Sequence, residues 1–461
     1  MAAKKLKVLG NGKILSYDRA MLNTNQNLTC FMTAALLLIC LLLMLAGCDR
    51  QEKVVSKQSI LSELNVWVHT GNEESLLLRK DQVARFNARH SRIKVTLISI
   101  PKGTYSAQIS AATRTGTLPD IIELDGPSLA SFVTRGALVK LDKILTTTTR
   151  QDILPSVFEQ GMYQGRVYSV AETTNSFVLY ARKSLLASAG YPVPENPGDA
   201  WDLKEFETLL AMAQKHGDYS AAIDIGLSNV EEPYAKTLYP MLLSAGGGLV
   251  DGQSPYKVEG LLNSATNIGF LKRIQRWIDQ GYIDENSDHR AFSDGRVALS
   301  WGGLDKYVAY KALFDDDLVV VPFPDLGGGS RNVHQTWGWS LTENCEDTQA
   351  AMRFLEFLFL PDEANLAAKA SGGLPGTFSG LSGFNAFSDS ILISSLVSDL
   401  ESGMVASQAK SPLYPVISDE FQKSFVRIRS GASVEESLEA AVDSINQQRQ
   451  KFKAELAEEG I

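Results

Sequence analysis

The sequence predicts an α/β protein whose sheets are mostly parallel and flanked by helices. Three observations carry that prediction. From Leu61 onward, short β-branched runs alternate with amphipathic stretches, so the apolar period switches repeatedly between two and about 3.6 residues. The first five such segments run strand, helix, strand, helix, strand, an order that favours parallel pairing with helices on both faces. The composition, 44% hydrophobic and 21% charged over 461 residues, is that of a globular chain long enough for more than one core.

The elements follow in order. Leu64-Asn65-Val66-Trp67-Val68 is a strand. Asn72 to Arg89 is a helix with Leu76, Val83 and Phe86 on its apolar side, opened by Glu73 and Glu74 where the helix dipole favours acids. Ile93 to Ile98 is the second strand, and Tyr105 to Arg114 a helix closed at Gly116. Asp120 to Leu124 is the third strand. Tyr168 to Tyr180 is long, extended and β-rich, suited to a strand that crosses from one lobe to another. Trp201 to His216 is an amphipathic helix on Phe206, Leu209, Leu210 and Ala213. Ala265 to Gln280 is another, on Ile268, Leu271, Ile274 and Ile278. Val319 to Val321 is a strand stopped by Pro322 and Pro324, and residues 348–360 form an apolar helix. The last helix opens on Ser433 with Glu436 three residues on, a capping-box pattern, and runs through Leu438, Ala441, Ile445 and Phe452.

The N-terminus carries an export signal. Phe31 to Gly47 holds no charge, and at seventeen residues it is short of the ~20 a spanning helix needs. It ends in Leu45-Ala46-Gly47-Cys48 and turns polar at once with Asp49, Arg50, Gln51 and Glu52. This segment resembles the lipobox of bacterial lipoproteins, which implies cleavage before Cys48 and lipidation of its thiol. A plain N-terminal membrane anchor, or a cleavable signal with a chance Cys, is the other reading. The start is Met1, with a long basic n-region, or Met21, with a weakly charged one. Residues 1–47 are thus assigned to a signal peptide and 48–60 to a lipidated tether. Removing 1–47 takes away five basic residues and one acid, so the mature chain is more acidic than the net −9 of the whole. It also removes Cys30 and Cys40. Cys345 is then left without a disulfide partner and is expected to be an inert thiol near Asp347.

Other chemistry is absent from the pattern. The acidic balance argues against nucleic-acid binding, which needs clustered Lys and Arg. There is no H-E-x-x-H, C-x-x-C, G-x-S-x-G, P-loop or G-x-G-x-x-G, and the five histidines show no metal spacing, so no cofactor or metal is expected.

Six segments, in order, resemble the family 1 extracellular solute-binding proteins of bacterial ABC importers, the group containing maltose- and multiple-sugar-binding proteins. They are Leu118-Pro119-Asp120-Ile121, Gly136 to Asp142, Tyr163 to Val170 with Leu179 to Arg182, Ala200 to Phe206, Phe292 to Leu299, and Gly373-Leu374-Pro375. Ser169, Ala181 and Leu299 depart from the family's usual Pro, Asn and Met. The resemblance implies a two-lobed periplasmic-binding-protein fold. One lobe takes residues 61–173 with about 322–365, and the other about 174–321 with 366–461. It also implies a monomer, lipid-anchored at the cell membrane and facing the periplasm or exterior. That protein would bind a small-molecule solute, a sugar by preference, in the interlobe cleft and deliver it to ABC permease subunits without catalysis. The alternatives are a surface-anchored carbohydrate hydrolase and a binding protein for another solute, such as a polyamine.

Ligands of open α/β sheets sit at the carboxyl ends of strands, and sugars take aromatic faces plus carboxylates and amides. The candidates are therefore Trp67 and Thr70, Asp125, then Glu172, Thr173 and Asn175 on the crossing strand. Tyr234, Trp301-Gly302-Gly303, Trp337, Trp339 and Gly373 complete them. Trp67 reads equally as a core strand residue. Trp337 and Trp339 share a strand face, so one is core and the other at the cleft edge. Trp301 beside two glycines reads as a wall that a ligand approaches. Asp125 and Glu172 read as ligand carboxylates or as caps and solvated charges.

Overall fold

The computed structural model describes residues 62–458 except 228–233, 253, 255, 287, 289, 388, 389, 403–405 and 407–409. The signal peptide, Cys48 and the tether lie outside the described residues.

The predicted βαβαβ opening is present. β1 (Ser62–Thr70) leads into α1 (Glu73–Arg89), β2 (Ile93–Pro101), α2 (Lys102–Thr115) and β3 (Ile121–Asp125). Local chemistry sets the ends: the Asn72 side chain accepts from Ser75 N–H, and Gly116 adopts φ 64° to stop α2. Burial in β1 follows period two, with Leu64, Val66 and Val68 buried and Trp67 half-buried on the opposite face.

Next come β4 (Thr173–Arg182), α3 (Leu203–Lys215), β5 (Ile223–Asp224), α4 (Tyr234–Thr237), α5 (Ala265–Asp279), β6 (Leu299–Gly303) and β7 (Leu318–Val321). They are followed by β8 (His334–Gln335), β9 (Trp337–Leu341), α6 (Thr348–Leu358), α7 (Pro361–Ser371), β10 (Leu374–Pro375), α8 (Tyr414–Arg429) and α9 (Val434–Glu458). A full capping box of Asp202 with Glu205 starts α3, and Ser433 Oγ accepts from Glu436 N–H at the start of α9. Helices α7 and α8 have no counterpart in the sequence-based reading.

Two sheets organise two lobes. The first has the order β9-β3-β1-β2, with β1 parallel to β2 and β3, and β9 antiparallel to β3. The second has the order β8-β4-β6-β5, with β7 and β10 also paired to β4. Apolar clusters cover both faces of the first sheet: Leu64, Val66 and Leu341 on one, Ile122, Leu124 and Tyr105 on the other. The second sheet packs Leu179, Leu299 and Val321 against α3, α5 and α8.

The long strand expected over 168–180 is two segments. Val170 exchanges backbone hydrogen bonds with Trp339 in the first sheet, and only from Thr173 does the chain join the second. The strand breaks because it changes sheets between the two. Thr336 makes the return step between β8 and β9, and Gly376 N–H donates to Glu172 O at 2.7 Å beside the same crossing. A Cβ on Gly376 would stand 2.8 Å from Ala171 O, so this close approach requires glycine.

Cys345 is buried, and its thiol is pushed up to about 12 by burial and by Asp120 and Asp347, which keeps it protonated and inert.

Candidate functional site

The carboxyl ends of β1 and β3, helix α1 and the crossing residues converge on one polar cluster. His69, near the end of β1, stacks on Trp337 with ring centroids 3.8 Å apart. Its Nδ1 lies 2.7 Å from Glu123 Oε2. Arg79 of α1 stands 3.6 Å from Glu123 Oε1 and 2.5 Å from Glu172 Oε1, with its guanidinium 4.9 Å over Trp339. Trp339 Nε1 donates to Glu172 Oε2 at 2.6 Å. The Tyr105 hydroxyl donates to Glu123 O and accepts from Glu123 N–H, pinning the backbone from which that carboxylate projects.

Electrostatics make this cluster mutually dependent. Burial pushes the Glu123 carboxyl up, but His69 and Arg79 outweigh it and hold Glu123 below the usual carboxylate range. Burial likewise opposes the charge on Arg79, and Glu172 and Glu123 together raise its pKa above the ordinary value. Each buried charge is thus retained by its neighbours.

At the edge of this cluster the two lobes meet. Asp125 closes β3, and its Oδ1 lies 3.7 Å from Nζ of Lys236, which belongs to α4 beside the second sheet. The same ammonium lies 5.6 Å from the centre of the Trp337 ring. A narrow cavity beside Asp125 is lined by Gly126, Gln160, Ser169, Ala171, Thr336 and Gly338, so it opens where the chain crosses between sheets. An aromatic face, a carboxylate and an ammonium within one interlobe contact can stack an apolar ring face and exchange hydrogen bonds with hydroxyls.

The structure brings Asp125, Glu172, Trp337 and Trp339 into this region, with Trp67 packed half-buried against the same apolar cluster. Glu172 is wholly buried and paired internally, neither a cap nor a solvated charge. Trp339 is the core member of its pair at 1% exposure, and Trp337 is half-buried.

Other candidates serve the scaffold. Thr70 Oγ1 donates to Ile100 O, and Thr173 pairs with Pro375. Asn175 accepts from Leu304 N–H and Ser176 N–H and donates to Asp305 Oδ1. Tyr234 is buried with its hydroxyl on Leu227 O. Trp301 corrects the cleft-wall expectation: it is 2% exposed, its ring centre lies 3.8 Å from that of Phe323, and its Nε1 donates to Thr237 O. The glycines beside it answer to packing, since a Cβ on Gly303 would meet Asp305 Oδ1 at 2.0 Å and one on Gly302 the Lys306 chain at 3.2 Å. Gly373 is held by Thr174 O, 2.6 Å from where its Cβ would stand.

Arg79 and Lys236 were not among the candidates, whereas His69, at the end of the first strand, reads from the sequence as a hydrogen-bonded residue, as it is here. Arg79-Lys80 reads as a solvated helix face. Lys236 offered a signal: it is the one cation between Tyr234 and Leu243, an otherwise largely apolar run.

A two-lobed α/β frame with a polar, aromatic contact where its chain crossings lie is the architecture of a solute-capturing protein. The family model for bacterial extracellular solute-binding proteins matches residues 81–379, and the chain belongs to that family. It is 26% identical over 343 residues to a Streptomyces antibioticus protein described as an uncharacterized lipoprotein in the oleD 5' region, covering 71% of this chain and 72% of that one. It is 25% identical over 151 residues to the galactooligosaccharide-binding protein of Bacillus subtilis, covering 32% and 34%. Among solved structures it is similar to the ABC substrate-binding protein of Listeria monocytogenes in complex with cycloalternan. The TM-score is 0.69 at 16% identity, covering 84% of this chain and 98% of that one. As a member of an extracellular family, the protein acts at the cell envelope. No helix among the described residues is long and apolar enough to cross a membrane.

Proposed function

We propose that this protein captures an oligosaccharide between its lobes and presents it to ABC permease subunits, without chemical turnover. The observation that carries the reading is the Trp337–Asp125–Lys236 contact, which joins a stacking face to a hydroxyl-binding charge pair across the two lobes. The named oligosaccharide-binding relative and the cycloalternan complex support the choice of ligand class. The lobes would divide at about 61–173 with 322–365, and 174–321 with 366–461. The placement of β7 in the second sheet and β9 in the first supports a change of lobe between them, and β8 in the second sheet favours a crossing near Thr336 over one near 322.

Capture works by closure. A ligand that touches both lobes gains contacts in the closed form that the open form lacks, and only that difference shifts the equilibrium. The three chain segments at Glu172, Thr336 and Gly376 are the hinge of this reading. Titration of the purified mature protein with maltotriose, mannotriose and galactotriose is the test, read by calorimetry and by product analysis. Saturable heat without product is expected, and turnover of any of the three overturns the reading.

The lipid anchor belongs to the same proposal. Cys48 would be the lipidated mature N-terminus, and the lipoprotein relative supports it. Cleavage and acylation are expected to be lost together in Cys48→Ser. A membrane-bound protein of unchanged mobility would mean an uncleaved anchor instead.

A further inference from the structure

Lys236 occupies an unusual position for a lysine. Its side chain is 7% exposed although it sits on the one-turn helix α4, and it reaches out of the second lobe to Asp125 and over Trp337 of the first. Ammonium groups are drawn to indole faces within about 6 Å, the face on which a sugar ring would also stack. The surrounding charge is mixed. Asp125, Glu123 and Glu172 are acidic, Arg79 and Lys236 are basic, and His69 lies between Glu123 and Trp337.

We propose that Lys236 is the specificity-determining residue of the interlobe site. It yields the face of Trp337 to the incoming ring and, with Asp125, clasps one ligand hydroxyl, so that the site takes uncharged sugars and rejects cationic solutes. The inference rests on the oligosaccharide reading above and adds the ligand's charge class. Its chemistry is that of the hydroxyl group, which donates and accepts at once. Between a carboxylate and an ammonium 3.7 Å apart, a hydroxyl donates to Asp125 and accepts from Lys236, and both bonds are charge-assisted. The protonated amine of an amino sugar or a polyamine, placed there, has only donors to offer and sets a second cation against Lys236. A uronate or phosphate sugar meets three carboxylates against two fixed cations. Only a neutral polyol satisfies both partners without adding charge to a dry contact.

The experiment compares wild type, Lys236→Met and Lys236→Gln. The neutral probes are maltotriose, mannotriose and galactotriose, and the cationic probes are the deacetylated glucosamine trimer and spermidine. Affinities are read by calorimetry and folding by melting temperature, with the Gln variant deciding if the Met variant does not fold. Wild type is expected to bind a neutral probe and neither cation. The variants are expected to lose about tenfold in affinity for that probe, the share of one hydrogen bond to a charged group, and to gain measurable binding of the glucosamine trimer. A folded variant that binds the neutral probe as wild type does, and still excludes both cations, overturns the role of Lys236 and leaves the oligosaccharide reading standing. A wild type that binds a cation and no neutral probe, or no probe at all, overturns both.

Discussion

Trp339 and Glu172, 167 positions apart in the chain, meet in a buried hydrogen bond of 2.6 Å from the indole N–H to the carboxylate. The bond fastens β9 to the residue from which the chain departs for the second sheet. The position of the crossing is therefore set by a carboxylate, whose burial is compensated by this bond and by Arg79, 2.5 Å from its other oxygen.

Arg79 is accordingly the keystone of this cluster. Arg79→Met leaves Glu123 and Glu172 buried without their shared cation, and an uncompensated buried charge costs about 3–5 kcal/mol. Urea denaturation should show a loss of that size. Adding Glu123→Gln and Glu172→Gln to Arg79→Met should recover part of it, because the penalty arises from orphaned charge and not from lost packing. A loss below about 1 kcal/mol in the single variant would contradict the network.

Trp301 tests the second core. Its indole is enclosed against Phe323, and its N–H is satisfied by Thr237 O. Trp301→Ala should therefore destabilise by about 3–5 kcal/mol, in the range for large aromatic truncations. The loss should appear as a lowered melting temperature without ligand. An unchanged melting temperature would return this residue to the surface.

The sequence disclosed what local pattern can carry. The βαβαβ opening was legible because β-branched runs at Leu64 to Val68 and Ile93 to Ile98 flank a helically spaced stretch, and α3 because Phe206, Leu209, Leu210 and Ala213 share one helical face. Period two correctly put Trp337 and Trp339 on one strand face, yet which of them is covered depends on Glu172 and Arg79, far away in the chain. The same limit explains Trp301. Two following glycines suggested an approach for a ligand, but the space beside them is filled by Asp305 and Lys306 and the indole itself by Phe323. Lys236 escaped notice because a cation in a short helix gives no sign that its partner lies in the other lobe.

His334 gives the protein an acid-sensitive element at the crossing strands. It sits on β8, fully buried, with Ser176 Oγ 2.7 Å from its Nδ1, and burial pushes its imidazole down to about 3. An unfolded histidine titrates near 6.5. As pH falls below that value, the unfolded chain takes up a proton the folded chain refuses. Folding stability from this residue is thus fully present above about pH 6.5 and falls by ~1.4 kcal/mol per pH unit below it, until the folded form titrates near 3. His334→Asn should flatten the fall in stability between pH 6.5 and 4.5 relative to wild type. Parallel curves for the two proteins would show that His334 is not buried neutral.

Trp337 and Asp125 separate binding from folding. Trp337 is half-buried, already stacked on His69, and lies beside the Asp125–Lys236 pair. If its ring carries the sugar, Trp337→Ala removes a stacking surface worth about 1–3 kcal/mol, or roughly 5- to 150-fold in affinity. Asp125→Asn keeps the shape but replaces a charge-assisted hydrogen bond with a neutral one, an expected loss of about 1–2 kcal/mol. The two residues are adjacent partners, Trp337 pairing with Asp125 in register between β9 and β3, so their effects should not add. The double variant is expected to lose less affinity than the sum of the singles. Calorimetry with whichever trisaccharide binds the wild type, paired with ligand-free melting curves, decides the matter. Weakened binding on an unaltered melting temperature supports the site. Unaltered binding with a lowered melting temperature assigns Trp337 to the scaffold with Trp339, and moves the ligand away from this end of the first sheet.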